Sequence, residues 1–173
     1  NEADYLDEVP ADIPVTRIPG LGRSVSLFGD IKSFFILLKL IWKFQPDIIH
    51  THTAKAGVLG RVAGMIASPS AKRIHTFHGH LLHGYFVTWK TWVVVFIERL
   101  LGSMSVSLIA IGNQVKEDLL NAGIGKPKQY SVIFPGLEKL DIQNRTNARD
   151  ELGLEQDKIY LVFVGRLTQI KRP

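Results

Sequence analysis

Two short runs constrain this chain more than any other feature: VSLIAI, Val106 to Ile111, and IYLVFV, Ile159 to Val164. Neither alternates apolar with polar. A strand that is apolar on both sides must be covered on both faces, and that is the habit of parallel sheets. Parallel strands need long crossovers, and segments of helical length separate the strand-like runs along the whole chain. The pattern predicts an α/β fold, a doubly wound parallel sheet with helices on both faces.

The elements follow in order. Pro14 to Ile18 is a short extended run closed by Pro19-Gly20. Leu27 to Phe44 reads as a helix stopped by Pro46, and Asp47 to His52 as a strand. Ala54 to Ala67 is a small-residue helix whose Gly57, Gly60 and Gly64 suit close approach to a sheet, at about 1 kcal/mol each against alanine. Lys72 to Phe77 is a strand, His78 to Phe86 a loop, and Thr88 to Gly102 a helix. After Val106 to Ile111, Asn113 is placed to cap a helix that Gly123 ends. Tyr130 to Phe134 is the next strand, and Pro135-Gly136 opens an irregular polar stretch to about residue 144. A short helix from Arg145 to Leu152 ends at Gly153, and Ile159 to Val164 is expected to be a buried strand.

Composition excludes several classes. There is no cysteine, so disulfides, thiolate metal sites and cysteine nucleophiles are ruled out. A net charge of +5 suits an anionic ligand or surface. The basic residues are scattered rather than clustered, which argues against a nucleic-acid arm. No apolar run reaches the roughly 18 residues of a membrane span. Residues 1–12 have no signal-peptide pattern. The chain does not open on Met, and its start is expected to lie inside a longer protein.

In open parallel sheets, ligands bind beyond the carboxyl ends of the strands. One such end is Gly165-Arg166, with Lys171 five residues on. Glycine admits a ligand to the backbone, arginine forks onto two phosphate oxygens, and lysine adds a mobile charge. Such cations would stabilise a departing diphosphate. The plain alternative is a solvated basic turn.

A second strand end leads into IHTFHGHLLH, with His75, His78, His80 and His83. The spacing fits no standard zinc pattern, and no metal is expected. His78 is the preferred candidate to touch a sugar or acceptor hydroxyl, with Gly79 leaving room beside it; the alternative is that all four order the loop or pack. His50 and His52 alternate in DIIHTH and so share one face of a strand. They are candidates to line a cleft with His80, while a buried structural histidine is the alternative. Lys55 and Gly57 follow at a helix start that could receive an anion or hydroxyl. Glu98 could pair with a basic neighbour or be solvated, and Trp89, Lys90 and Trp92 could pack or meet a membrane interface.

Taken together, the phrases PDIIHTHTAKAGVLGRVAG, HTFHGHLLHGYF, IERLL, SLIAIGNQVKEDLLNAGI, VIFPGLE and LVFVGRLTQIKRP resemble the bacterial family 4 glycosyltransferases of GT-B fold, from about Val15 to Pro173. The resemblance implies two Rossmann-like domains. Residues 1–134 would be the acceptor-side N-terminal domain without its first strand. Residues 135–157 would be the linker and short helix, and residues 158–173 the start of the donor-binding domain.

The resemblance also implies a retaining transfer of a hexose or N-acetylhexosamine from a UDP- or GDP-sugar to a surface-glycan or lipid-linked acceptor. No cofactor or metal is expected. Arg166 and Lys171 match the family's pair on the donor diphosphate, and His78 its histidine near the transferred sugar. Gly112 stands where relatives often carry serine. The expected location is cytoplasmic, at the inner face of the plasma membrane, with peripheral attachment and no nucleic-acid partner. The 173 residues alone are expected to be inactive, because a glutamate pair of the family's donor domain is not among them. Two other readings remain: a UDP-N-acetylglucosamine 2-epimerase-like enzyme that needs no acceptor, and a non-catalytic nucleotide- or membrane-binding module.

Overall fold

The computed structural model describes residues 9–22, 26–79, 88–136 and 142–165, with the side chains of 88–90 left aside. The chain divides into two compact units, Asn1–Phe134 and Pro135–Pro173.

The first unit runs α1 (Leu27–Phe44), β1 (Ile48–His52), α2 (Ala54–Ala67), β2 (Lys72–Phe77), α3 (Thr88–Ser103), β3 (Ser107–Ala110), α4 (Asn113–Asn121) and β4 (Tyr130–Val132). The four strands form one sheet in the order β1-β2-β3-β4, and every pairing is parallel. The fold is therefore the Rossmann-like α/β type that the sequence pattern predicts. Strands added in one direction send right-handed crossovers to one face. That face carries Phe77, Leu108, Ala110 and Tyr130, which form the core with Val115 and Leu119 of α4 and with Ile124.

The ends of the elements have local causes. Ser26 caps α1 by accepting from the Gly29 amide, while Asp30 reaches back to the Ser26 amide. The chain leaves α1 through Gln45 in a left-handed conformation, φ 48°, just before Pro46. Asn113 is not a cap: the cap position is Gly112, and Asn113 is the first helical residue. At the other end, Gly123 has φ 73°, its amide donates to the Leu120 carbonyl, and the Ile124 amide donates to the Leu119 carbonyl. This is the Schellman arrangement, and it delivers Ile124 to the core.

Helix α2 lies unusually close to the sheet, and its glycines are the reason. A Cβ at Gly57 would stand 2.5 Å from Cε1 of His75. One at Gly60 would stand 2.8 Å from Cγ2 of Thr51, and one at Gly64 2.5 Å from Cδ1 of Ile49. Each is inside the closest approach of real carbon atoms, so a side chain at Gly57 or Gly60 would have to displace His75 or Thr51, while at Gly64 the tip of Ile49 would have to turn aside.

Arg61 sits in the same seam and is buried together with Glu98 of α3. Nη2 of Arg61 donates to both carboxylate oxygens of Glu98, at 2.8 and 2.7 Å, and its Nε donates to the Gly57 carbonyl at 2.9 Å. Among the described residues, Nη1 of Arg61 has no hydrogen-bond partner although it is buried. Burial raises the Glu98 carboxyl above its ordinary range, and Arg61 offsets only part of that rise. Glu98 thus pairs rather than facing solvent.

The second unit contains α5 (Arg145–Glu151), capped by Asn144 and closed at Gly153, φ 65°. Arg149 donates to the carbonyls of Glu155, Gln156 and Lys158 and lies over the Tyr160 ring. Residues 159–164 are not in a strand, contrary to the sequence expectation, and Ile159, Leu161 and Val164 are more than nine-tenths exposed. A parallel strand owes its order to neighbours. None lies among the described residues of this unit, so the apolar pattern has nothing to pair with.

Two outcomes follow from the buried seam. Glu98→Ala should cost about 3–5 kcal/mol by stranding Arg61 in the interior, whereas the paired change Arg61→Met with Glu98→Leu should cost far less; urea unfolding of both variants measures the difference. His75 is buried, and desolvation, followed by the charge of Arg61, lowers its pKa to about 3. Since the unfolded chain binds that proton near pH 6.5, its contribution is intact above that pH. It is lost at about 1.4 kcal/mol per pH unit as pH falls towards 3. His75→Asn should flatten that slope in denaturation curves taken at several pH values.

Candidate functional site

Register puts the histidines together. β1 and β2 pair with Thr51 opposite His75 and His52 opposite Thr76. Side chains alternate along a strand, so Thr51 and His75 face α2 while His50, His52 and Thr76 share the other face. On the α2 side, Oγ1 of Thr51 is 2.8 Å from Nδ1 of the buried His75, whose ring meets Phe77 edge-on. His75 is therefore a packed, neutral residue.

The opposite face carries a row of three imidazoles at the carboxyl ends of two neighbouring strands. His50 Nε2 is 2.8 Å from Oγ1 of Thr76, which is buried. The His50 and His52 rings lie 4.4 Å apart, centre to centre, and the His52 and His78 rings 5.1 Å apart. Nδ1 of His52 is 2.8 Å from Nε2 of His78. Desolvation, then the charges of His50 and His78, holds His52 below the usual histidine range. His50, His52 and His78 are all exposed. A row of imidazoles at a surface offers ring nitrogens that can accept from, or donate to, the hydroxyls of a polar ligand.

The connection from this row to α2 is strained. Thr53 has φ 61° and ψ 162°, a region almost reserved for glycine, and strain of that kind costs about 1–3 kcal/mol. It allows β1 to turn into α2 in a single residue. Lys55, in the first turn of α2, is engaged by the Asp30 carboxylate and by the Gly20 carbonyl at 3.3 Å. The hydrogen bond from Lys55 draws the Asp30 carboxyl below its ordinary range; desolvation, the next largest effect, opposes it, and the Ser26 amide adds a smaller pull in the same direction as Lys55. Gly57 is buried against the His75 ring rather than at the surface, so its place in the sequence has a packing cause. Gly79 has φ 148°, and a Cβ there would meet nothing within 4 Å.

His50, His52, His78 and Gly79 are thus brought to one edge of the sheet, whereas Lys55 ties α2 to Asp30 of α1 and to Gly20, and Gly57 serves the seam between α2 and the sheet. Gly165 is described, beside the Phe163 ring. His80, Arg166 and Lys171 lie outside the described residues. Among the described residues, no group of three or more His, Asp or Glu could hold a metal ion, and no helix is long and apolar enough to cross a membrane.

Thr76 and Thr51 escaped the reading of the sequence. The signal was present: IHT occurs in both strands, at Ile49 to Thr51 and at Ile74 to Thr76. A register offset by one residue from that repeat sends His50 and His75 to opposite faces, and the offset is a tertiary fact.

Known proteins resemble this chain in overall sequence. Over 174 aligned positions, 98% of the chain is 33% identical to the UDP-Gal:alpha-D-GlcNAc-diphosphoundecaprenol alpha-1,3-galactosyltransferase of Escherichia coli, and spans 44% of that enzyme. The capsular polysaccharide biosynthesis glycosyltransferase CapM of Staphylococcus aureus is 25% identical over 92% of the chain and 43% of its own length. The D-inositol 3-phosphate glycosyltransferase of Thermobifida fusca is 30% identical over 73% of the chain and 30% of its own length. The chain therefore spans less than half of each of these relatives. Residues 1–136 match the family described as the glycosyl transferase 4-like domain, and the chain belongs to that family, among the family 4 glycosyltransferases of bacteria.

Proposed function

We propose that the complete protein is a retaining glycosyltransferase that moves a hexose or N-acetylhexosamine from a nucleotide-diphosphate sugar to a lipid-linked or surface-glycan acceptor. The observation that carries this reading is the imidazole row of His50, His52 and His78 at the strand ends of a chain that matches the glycosyl transferase 4-like domain. The 33% identity to an enzyme named for UDP-Gal and a diphosphoundecaprenol acceptor favours a UDP-sugar and a polyprenyl-diphosphate-linked glycan.

In this reading His78 faces the transferred sugar, with Gly79 leaving space beside it. Arg166 and Lys171 hold the donor diphosphate with the Gly165 backbone. As the bond between sugar and diphosphate breaks, negative charge grows on the leaving oxygens. Cations fixed there stabilise the transition state more than the ground state. No metal is needed for that charge, and no cofactor enters. Work on a lipid-linked acceptor would place the protein at the inner face of the plasma membrane. The exposed Phe28, Phe35 and Trp42 of α1, with Lys32, Lys39 and Lys43, suit peripheral contact there.

Arg166→Ala and Lys171→Ala in the complete protein should each lower kcat/KM for the nucleotide sugar by about a hundredfold. Release of nucleoside diphosphate in the presence of a polyprenyl-diphosphate-GlcNAc acceptor measures this. Unchanged kinetics in both variants would remove the assignment. Turnover that proceeds equally without acceptor would establish the epimerase-like reading instead.

A further inference from the structure

We propose that His52 is a positioning residue: it shares a proton with His78 across the ends of β1 and β2, so that the pair carries at most one positive charge and presents the outward Nδ1 of His78 to a sugar hydroxyl. The sugar-facing role of His78 is the reading given above; the proton sharing stands on geometry alone.

The distance between Nδ1 of His52 and Nε2 of His78, 2.8 Å, is that of one hydrogen bond. Two imidazole nitrogens bound to one tetrahedral zinc at their usual lengths would stand about 3.3 Å apart, so the gap fits a proton and not a metal. A single N–H fills it. If His78 donates, its Nδ1 is bare and accepts from a hydroxyl. If His52 donates, Nδ1 of His78 carries the hydrogen and donates instead. One further proton gives a pair with both outer nitrogens protonated and the inner hydrogen still shared. Another would place N–H against N–H, and the pair would have to open.

The surroundings hold this arrangement in place. His50 packs on the His52 ring from the same strand and is itself tied to the buried Thr76 on β2. The other charged or titratable groups nearby are already engaged. His75 lies on the far side of the sheet, bonded to Thr51, while Lys55 is held by Asp30 and Arg61 by Glu98. Among the described residues, no carboxylate bonds to His50, His52 or His78. Nothing there favours a second charge on the row, in line with the lowered affinity of His52 for protons.

The test uses the complete protein. Nitrogen-15 spectra of its histidine rings, assigned with His52→Ala and His78→Ala, should show the pair taking up one proton between about pH 8 and about pH 5. In sugar transfer, His52→Ala should lower kcat about tenfold with less than a twofold change in KM for the nucleotide sugar. His52→Asn, which can still accept from Nε2 of His78, should recover most of that loss.

Two independent titrations, one on each ring, would overturn the inference, and in an active enzyme they would leave the glycosyltransferase reading standing. A pair that takes up one proton in a protein that transfers no sugar would do the reverse. Equal kcat losses in the alanine and asparagine variants would also overturn the positioning role. The wild-type spectra decide the matter even if a variant fails to fold.

Discussion

The structure depends on how closely α2 lies on β1 and β2. Gly57, Gly60 and Gly64 remove three side chains from the seam, and His75, Thr51 and Ile49 occupy the space. With the helix backbone laid directly on those side chains, the position of α2 is fixed by the strands beneath it. Arg61 then crosses the seam to Glu98 and ties α3 to the same face. A buried ion pair is weak evidence for stability, since the desolvation of both partners offsets much of the attraction. What it does show is geometry: both carboxylate oxygens of Glu98 converge on Nη2 of Arg61, which links α3 to α2 at that point.

That placement is what makes the imidazole row credible as a binding edge. His50 and His52 come from one strand and His78 is the first residue beyond the next, so the sheet sets the spacing of the first two and the end of β2 brings the third beside them. The strained turn at Thr53 keeps α2 immediately behind them. Strand, turn and helix therefore act as a mount for side chains whose chemistry is hydrogen bonding to hydroxyls. The matching family is one whose members handle sugars, molecules with little else to offer a protein.

Much of this could be read from the residues. The parallel α/β class follows from VSLIAI and its neighbours, and the close approach of α2 follows from its glycines. The shared face of His50 and His52 needs only strand periodicity. What could not be read is relational. The Thr76 partner of His50 and the burial of His75 depend on register between strands twenty-odd residues apart. The fate of Ile159 to Val164 depends on strands to pair with, and apolar sequence cannot supply them. Asn113 was misplaced by one residue because a cap is defined by backbone angles that composition does not fix.

The bond between Thr51 and His75 has one more consequence. Were β2 to slide by a single residue against β1, a different side chain would enter the slot opposite Gly57, and the clearance cut for an imidazole ring would be empty or overfilled. The slot opposite Gly57 is therefore cut to one alignment of the two strands, and the same alignment sets His52 beside Thr76 on the opposite face.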